Sequence, residues 1–154
     1  MKIKILLVGK PANPHYAGLM QEYLRRIGHY LDIAVETVAA QKLDQPAGHV
    51  RSREAQRLLA KIDVKEWCVA LDRSGASWDS EQLAKKMNSW LQSGQRPLCF
   101  VIGGPLGLDE PVLQRADEKL ALSAFTLAHE LALVVLLEQL YRAFTILRGE
   151  KYHK

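Results

Sequence analysis

Two short runs with almost no polar residues, Glu66–Leu71 and Leu98–Ile102, flank an amphipathic stretch from about Asp79 to Leu91. A strand with one face in water alternates apolar and polar residues. A strand that is apolar throughout must be covered on both faces, as in a parallel sheet enclosed by helices. Parallel neighbours also need a crossover connection, and the stretch between these runs has helical spacing. The pair therefore confines the chain to an α/β fold with right-handed crossovers. Lys2–Val8 reads as a first strand, ended by Gly9 and Pro11. Pro14–Ile27 places Tyr16, Leu19, Met20, Tyr23, Leu24 and Ile27 on one broad helical face, and Gly28 stops it. Leu31–Val38 alternates as a second strand, the polar Gln41–Gly48 stretch with Pro46 predicts a mobile loop, and Arg51–Ile62 predicts a short amphipathic helix. Asp79 or Ser80 is the expected N-cap of the helix over Asp79–Leu91, with Gly94 as its stop.

The 154 residues are 48% hydrophobic and 25% charged, enough for one core, and the reading is a single domain over 1–154. Cys68 and Cys99 each sit inside an apolar run and not in a CxxC pair. That excludes a zinc ribbon and predicts buried, reduced thiols in a cytoplasmic protein. The amino terminus alternates (Lys2, Ile3, Lys4, Ile5) and then meets Gly9, unlike a secretory signal. Leu131–Leu137, the longest strictly apolar run near the carboxyl end, is far short of the roughly 20 residues that span a bilayer, so no membrane partner is expected. Net charge is +4 and unevenly placed: residues 1–60 hold nine Lys/Arg against five Asp/Glu, and the later residues balance. Within the balanced part, the last thirteen residues carry Arg142, Arg148, Lys151 and Lys154 against Glu150. Basic ends suit a polyanion such as RNA, and equally suit a solvated surface.

The last helix, about Ala128–Leu147 with Gly149 as its stop, is apolar nearly all round. A helix of this kind must be buried, and one small sheet covers only one side of it. The simplest cover for the other side is a second copy of the chain, so the expectation is a homodimer.

Three segments offer chemistry. In Phe100–Asp109 a buried strand leaves the sheet through Gly103, Gly104 and Gly107, and Asp109 is placed to cap a short helix with Pro111 in its first turn. Glycines let a ligand lie against backbone, and open α/β sheets bind ligands beyond the carboxyl ends of their strands; a plain tight turn is the alternative. The dinucleotide fingerprint needs a different glycine order, and a P-loop needs Gly-Lys-Ser/Thr, which is missing. A zinc-protease reading of His129-Glu130 needs a histidine at 133, where leucine stands, and His15, His29, His49 and His153 have no ligand spacing, so no metal is expected. The second segment, Leu122–His129, carries Ser123 and Thr126 at a strand-to-helix junction, as N–H-rich ligand wall or as simple caps. The third is the tail with Tyr141, Arg142, Tyr152 and His153, whose cations and rings suit phosphate contact and base stacking.

Leu71-Asp72, Phe100–Gly107, Leu122–His129, Glu138–Ala143 and Gly149 with Tyr152-His153, together with the Gly9, Tyr23 and Arg25 region, resemble the ribosomal large subunit methyltransferase H family of the SPOUT superfamily. The resemblance implies a single-domain α/β knot, with a mostly parallel sheet and a C-terminal trefoil knot. It implies S-adenosylmethionine-dependent methylation of N3 of a pseudouridine in 23S rRNA, on the ribosome. The cofactor site it implies is Leu71, Gly103, Gly104, Gly107, Leu122, Ser123, Ala124, Phe125, Thr126 and Leu127. For such chemistry His153 or His129 is the candidate base, and Arg142 and Tyr152 are candidates to position the nucleotide. One departure stands out: the family usually has arginine four residues after the histidine, and here it is Leu133. The rival reading is a non-catalytic, dimeric RNA-binding protein of the same fold.

Overall fold

The computed structural model describes residues 2–93 and 96–154; the expected stop at Gly94 lies outside them. Chain order is β1 (Lys2–Val8), α1 (Pro14–Ile27), β2 (Asp32–Val38), α2 (Ala47–Leu59), β3 (Trp67–Ser77), α3 (Ser80–Ser93), β4 (Leu98–Ile102), α4 (Glu110–Arg115), β5 (Glu118–Ala121) and α5 (His129–Leu147). The five strands form one sheet in the order β2-β1-β4-β3-β5, and every pairing is parallel. The α/β parallel sheet expected from the two apolar runs is present, and β4 in its centre is buried along its whole length.

Strand periodicity divides the core into two layers. Ile3, Ile5, Leu7, Leu98, Phe100 and Ile102 point to the face covered by α1, α3 and α5. Leu6, Val8, Cys68, Cys99 and Val101 point to the face covered by α2 and α4. Both cysteines are buried and free. Burial raises both thiol pKa values, that of Cys68 to about 11, which keeps them protonated.

Several boundaries differ from the sequence reading. The strand expected over Glu66–Leu71 runs on to Ser77, although Asp72–Ser77 is polar. Its register against β5 jumps between Leu71 and Ala76, and Asp72 folds the chain there by accepting from the N–H and hydroxyl of Ser74 at 2.8 and 2.6 Å. Its partner β5, four residues long with two polar ones, was not among the expected strands; it exists because β3 offers it a ladder. Helix α2 starts at Ala47, inside the expected loop, directly after Pro46. The rest of that loop is pinned: Gln41 N–H donates to Glu54, and Arg57 donates to the Ala39 carbonyl and the Gln41 side chain. Asp79 caps α3 in a reciprocal box with Gln82, at 2.7 and 2.9 Å. Asp109 occupies the N-cap position of α4 but makes no side-chain cap bond, and its carboxylate faces Arg51 at 3.9 Å instead.

The largest correction concerns α5. It packs against both α1 and α3 as well as the sheet, so most of its apolar circumference is covered within one chain. The sequence argument counted the sheet alone and overlooked two flanking helices on the same face. Apart from His129, Glu130 and Tyr141, what stays half-buried along α5 is one stripe: Leu131, Val135, Glu138, Gln139, Arg142 and Ile146. To reach its place α5 follows edge strand β5 with a segment, residues 122–128, that leads back over the strand ends. That path is consistent with the knotted C-terminal region the resemblance implies. Leu133, where the resemblance expects arginine, is 1% exposed within this core, so the departure falls on packing.

Two glycine-to-alanine changes test the fold in opposite directions. A Cβ on Gly75 would stand 2.5 Å from the Lys119 carbonyl carbon and 2.6 Å from Leu120 N, both backbone atoms of β5. Gly75→Ala is expected to destabilise by about 1–3 kcal/mol. At Gly48, in α2, the added methyl meets nothing within 4 Å, and Gly48→Ala is expected to stabilise by about 0.4–1 kcal/mol. Urea unfolding midpoints for the two variants check both signs.

Candidate functional site

The carboxyl ends of β3, β4 and β5 open into a cleft of about 410 Å³. That volume lies within the roughly 300–1,000 Å³ of small-molecule sites. Its floor is the turn after β4. Gly107 adopts φ +80° and donates its N–H to the Gly104 carbonyl at 2.9 Å, a backbone conformation that favours glycine. A Cβ on Gly103 would meet the Gly107 carbonyl carbon at 2.8 Å, and one on Gly104 would meet the Glu54 carboxylate at 2.9 Å. The turn is thus close-packed from behind and presents backbone to the cleft.

Opposite stands the 122–127 segment. Ser123 Oγ accepts from Phe125 N–H at 2.9 Å, and Thr126 Oγ1 accepts from Arg73 at 3.2 Å. Neither hydroxyl caps α5, whose N-cap is Ala128 without a side-chain bond. The Glu130 carboxylate instead accepts from the N–H groups of Ala12 and Asn13, tying the start of α5 to the loop after β1. Leu71, Gly103, Gly104, Gly107, Leu122, Ser123, Phe125, Thr126 and Leu127 all line the cleft as expected from the sequence. Ala124 is exposed and is not part of the lining, and the Phe125 side chain is 83% exposed at the rim. Arg51, Asp72, Arg73 and His129 also contribute walls. Arg51 and Arg73 had no signal in the sequence, because only the tertiary fold brings α2 and the β3 bulge to this cleft. Partial burial pushes the Asp72 carboxyl up, but the Ser74 hydrogen bonds, with Lys119 and Arg73 nearby, hold it below its ordinary value. The cleft therefore keeps one ionised carboxylate at neutral pH.

The tail residues form a separate group. Glu138 accepts from Arg142 Nη2 at 2.6 Å, from Arg142 Nε at 3.1 Å and from the Tyr152 hydroxyl at 3.1 Å. The Arg142 guanidinium lies 4.8 Å from the Tyr152 ring centroid and 3.4 Å from His153 Nδ1. Tyr141 meets Tyr152 edge-on at 4.8 Å, and Tyr30 donates to Glu150 at 2.7 Å. Glu138 follows His129 by nine residues on α5, roughly 14 Å at 1.5 Å per residue. Arg142, Tyr152 and His153 do not line the cleft; of the four expected catalytic residues only His129 does. Among the described residues no cluster of His, Cys, Asp and Glu is arranged to hold a metal ion, and no helix is long and apolar enough to cross a membrane.

The fold, with its glycine turn facing the segment that leads into the last helix, is that of a chain in the SPOUT methyltransferase class, as comparison with known proteins shows: the family described as "Predicted SPOUT methyltransferase" matches residues 1–153. Over their full lengths, proteins named Ribosomal RNA large subunit methyltransferase H are similar to this chain, at 44% identity in Anaeromyxobacter sp. (strain Fw109-5), 47% in Anaeromyxobacter sp. (strain K) and 41% in Desulfotalea psychrophila. The chain belongs to that methyltransferase H family. Among solved structures, a probable methyltransferase from Bordetella pertussis shares the fold with a TM-score of 0.59 at 17% identity, over 92% of this chain and 95% of that one. A probable methylase family protein from Haemophilus influenzae shares it with a TM-score of 0.54 at 14% identity, over 99% of this chain and 70% of that one.

Tyrosine ionisation reports on the tail. Burial first, and then donation to Glu150, raise the Tyr30 phenol to about 12. Burial, with hydrogen bonds to Tyr23 and Glu138, also raises Tyr152. A group whose pKa is raised by folding contributes stability below its unfolded value, here about 10, and loses it as pH climbs through the folded value. Stability is therefore expected to fall between about pH 10 and pH 12, and Glu138→Gln is expected to bring Tyr152 down toward 10. Tyrosinate absorbance against pH checks both, with Tyr152→Phe identifying the signal.

Proposed function

We propose that this chain methylates N3 of a pseudouridine in 23S rRNA, with S-adenosylmethionine as donor, and that it acts on ribosomes in the cytoplasm as a homodimer. The observation that carries the reading is the cleft itself: nine of the ten residues expected from the sequence to hold the cofactor line one cavity at the strand ends. Its backbone-rich turn, apolar walls and ionised Asp72 fit a flat heterocycle joined to a cationic amino-acid arm. When bound, S-adenosylmethionine supplies a methyl group on a sulfonium, whose C–S bond breaks with the electron pair staying on sulfur.

The chain's own work is orientation and proton handling. Holding acceptor and methyl in line contributes up to about 7–11 kcal/mol. As the N3–C bond forms, the N3 proton passes to a histidine. His129 is in the cleft of its own chain; His153 belongs to the tail, and reaches a cleft only from a second subunit. Two facts favour the dimer: the tail cluster sits about 14 Å along α5 from the cleft, and α5 keeps the half-buried stripe Leu131, Val135, Ile146 beside it. In that assembly one subunit holds the cofactor, and its partner's Arg142 and Tyr152 position the nucleotide. RNA shape and the neighbouring ribosome surface supply the specificity that so small a protein does not read from sequence.

His153→Ala is expected to lower turnover on ribosomes by about 10²–10⁴ while the calorimetric affinity for S-adenosylmethionine stays nearly unchanged; a fully active variant refutes the assignment. Arg142→Ala is expected to weaken RNA binding and to reduce the slope of log affinity against log salt by about 1. Calorimetry with S-adenosylmethionine separates the reading from its rival, since absence of binding leaves the non-catalytic RNA binder. Mass spectrometry of rRNA from a deletion strain, searched for the loss of one methyl on a pseudouridine, decides the substrate.

A further inference from the structure

Pro105 and His129 line two neighbouring cavities: the cofactor cleft, and a groove of about 550 Å³ that they form with Val8 and residues 40–44. A third hollow, around Lys2, Lys4 and Glu66, opens at the amino-terminal end of the sheet and has no residue in common with the cleft.

The groove has a built wall. Gln41 N–H is held by Glu54 at 2.9 Å, and Arg57 holds the Ala39 carbonyl and the Gln41 side chain at 2.8 Å each. With its base fixed, the segment projects Leu43, which is 58% exposed. Glu54 is 2% exposed, and its Oε2 has no partner and stands 2.9 Å from the place a Cβ on Gly104 would take. One buried carboxylate therefore braces the groove wall and abuts the floor of the cleft.

In-line methyl transfer makes a geometric demand. The acceptor atom approaches the methyl carbon from the side opposite sulfur, at about 3–3.5 Å, so the acceptor ring occupies a cavity that borders the donor's. The groove does so through Pro105 and His129. Val8, Ala40, Leu43 and Pro105 offer apolar surface to the faces of a flat ring, and Lys42 offers a cation for its phosphate. The groove's outer wall belongs to the first sixty residues, whose nine Lys/Arg against five Asp/Glu complement a polyanion.

We infer that this groove receives the acceptor nucleotide, a uracil-type ring lodged between Leu43 and Pro105 with its reacting nitrogen toward His129. The inference rests on the methyltransferase reading of the cleft and adds the side from which the acceptor enters. The test uses the ¹⁵N-labelled full-length chain saturated with S-adenosylhomocysteine and titrated with pseudouridine 5′-monophosphate. Amide signals of Ala40, Gln41, Leu43 and Asp44 are expected to move, and those of Lys61 and Val64 at the far hollow are not. Leu43→Asp is expected to abolish those shifts and to raise KM for ribosomal RNA at least tenfold. Its melting temperature and its S-adenosylmethionine affinity should stay within error and twofold of the parent, and Leu43→Met should restore KM. Shifts confined to residues 142–153, a silent 40–44 segment, or a Leu43→Asp variant with the parent's KM would overturn the inference. So would 40–44 shifts that follow protein concentration without nucleotide, which assign the groove to a second copy. Failure of S-adenosylhomocysteine to bind would bring down the methyltransferase reading as well; cofactor binding with a silent groove brings down this inference alone.

Discussion

The burial of α5 is the constraint on which the rest depends. Leu133, Leu136, Leu137 and Leu140 are each at most 1% exposed, and fully burying one such side chain contributes about 1.5–3 kcal/mol. The helix therefore has to lie at the centre of one sheet face, between α1 and α3. Yet the strand before it, β5, is at the sheet edge. The chain can satisfy both only by running back across the strand ends, and residues 122–128 make that run. The wall of the cleft is thus a by-product of burying a helix, and the same helix delivers His129 to the cleft at its first residue and Arg142 to the surface near its end.

Two chemistries result, with different physical means. In the cleft the lining is mostly backbone and apolar carbon, with Gly103, Gly104 and Gly107 in its floor, and its charged side chains are the Asp72 carboxylate and the Arg51 and Arg73 guanidinium groups. At the tail, the Arg142 guanidinium and the Tyr152 phenol are both held by the Glu138 carboxylate. The Glu138 hydrogen bonds, outweighing partial burial, raise the Arg142 pKa, so the cation is permanent and its aim is set in the free protein.

Legibility in the sequence followed the strength of local signals. β1, α1 and β4 match their expected limits at both ends, because strict periodicity is bounded there by Gly9, Pro14, Gly28 or a fully apolar run. The candidate cofactor residues meet in one cleft because the fold preserves the order of their motifs, with Ala124 the exception. The second half of β3 and all of β5 were not legible, since Asp72–Ser77 and Glu118–Ala121 carry no strand pattern of their own; β5 forms by pairing with Val69–Leu71, and Ala76 and Ser77 by pairing with its end. Capping at Asp109 failed for a related reason: Arg51, fifty-eight positions earlier in the chain, draws the carboxylate away. The pinned loop at 39–46 looked unstructured because its anchors, Glu54 and Arg57, are on the following helix.

By itself the sequence determined the α/β class and the parallel sheet, through apolar periodicity that acts over a few residues. The family and nine of the cleft residues were legible through motifs that resemble the methyltransferase H family, also written along the chain. Tertiary structure alone decided that β5 pairs at the edge, that α1 and α3 rather than only the sheet cover α5, and that cleft and tail cluster occupy different places on one chain. It also decided that Pro105 and His129 line two cavities at once. Those outcomes come from contacts between segments tens of residues apart, whose energies depend on which surfaces meet after the core has packed, and no local pattern encodes that meeting.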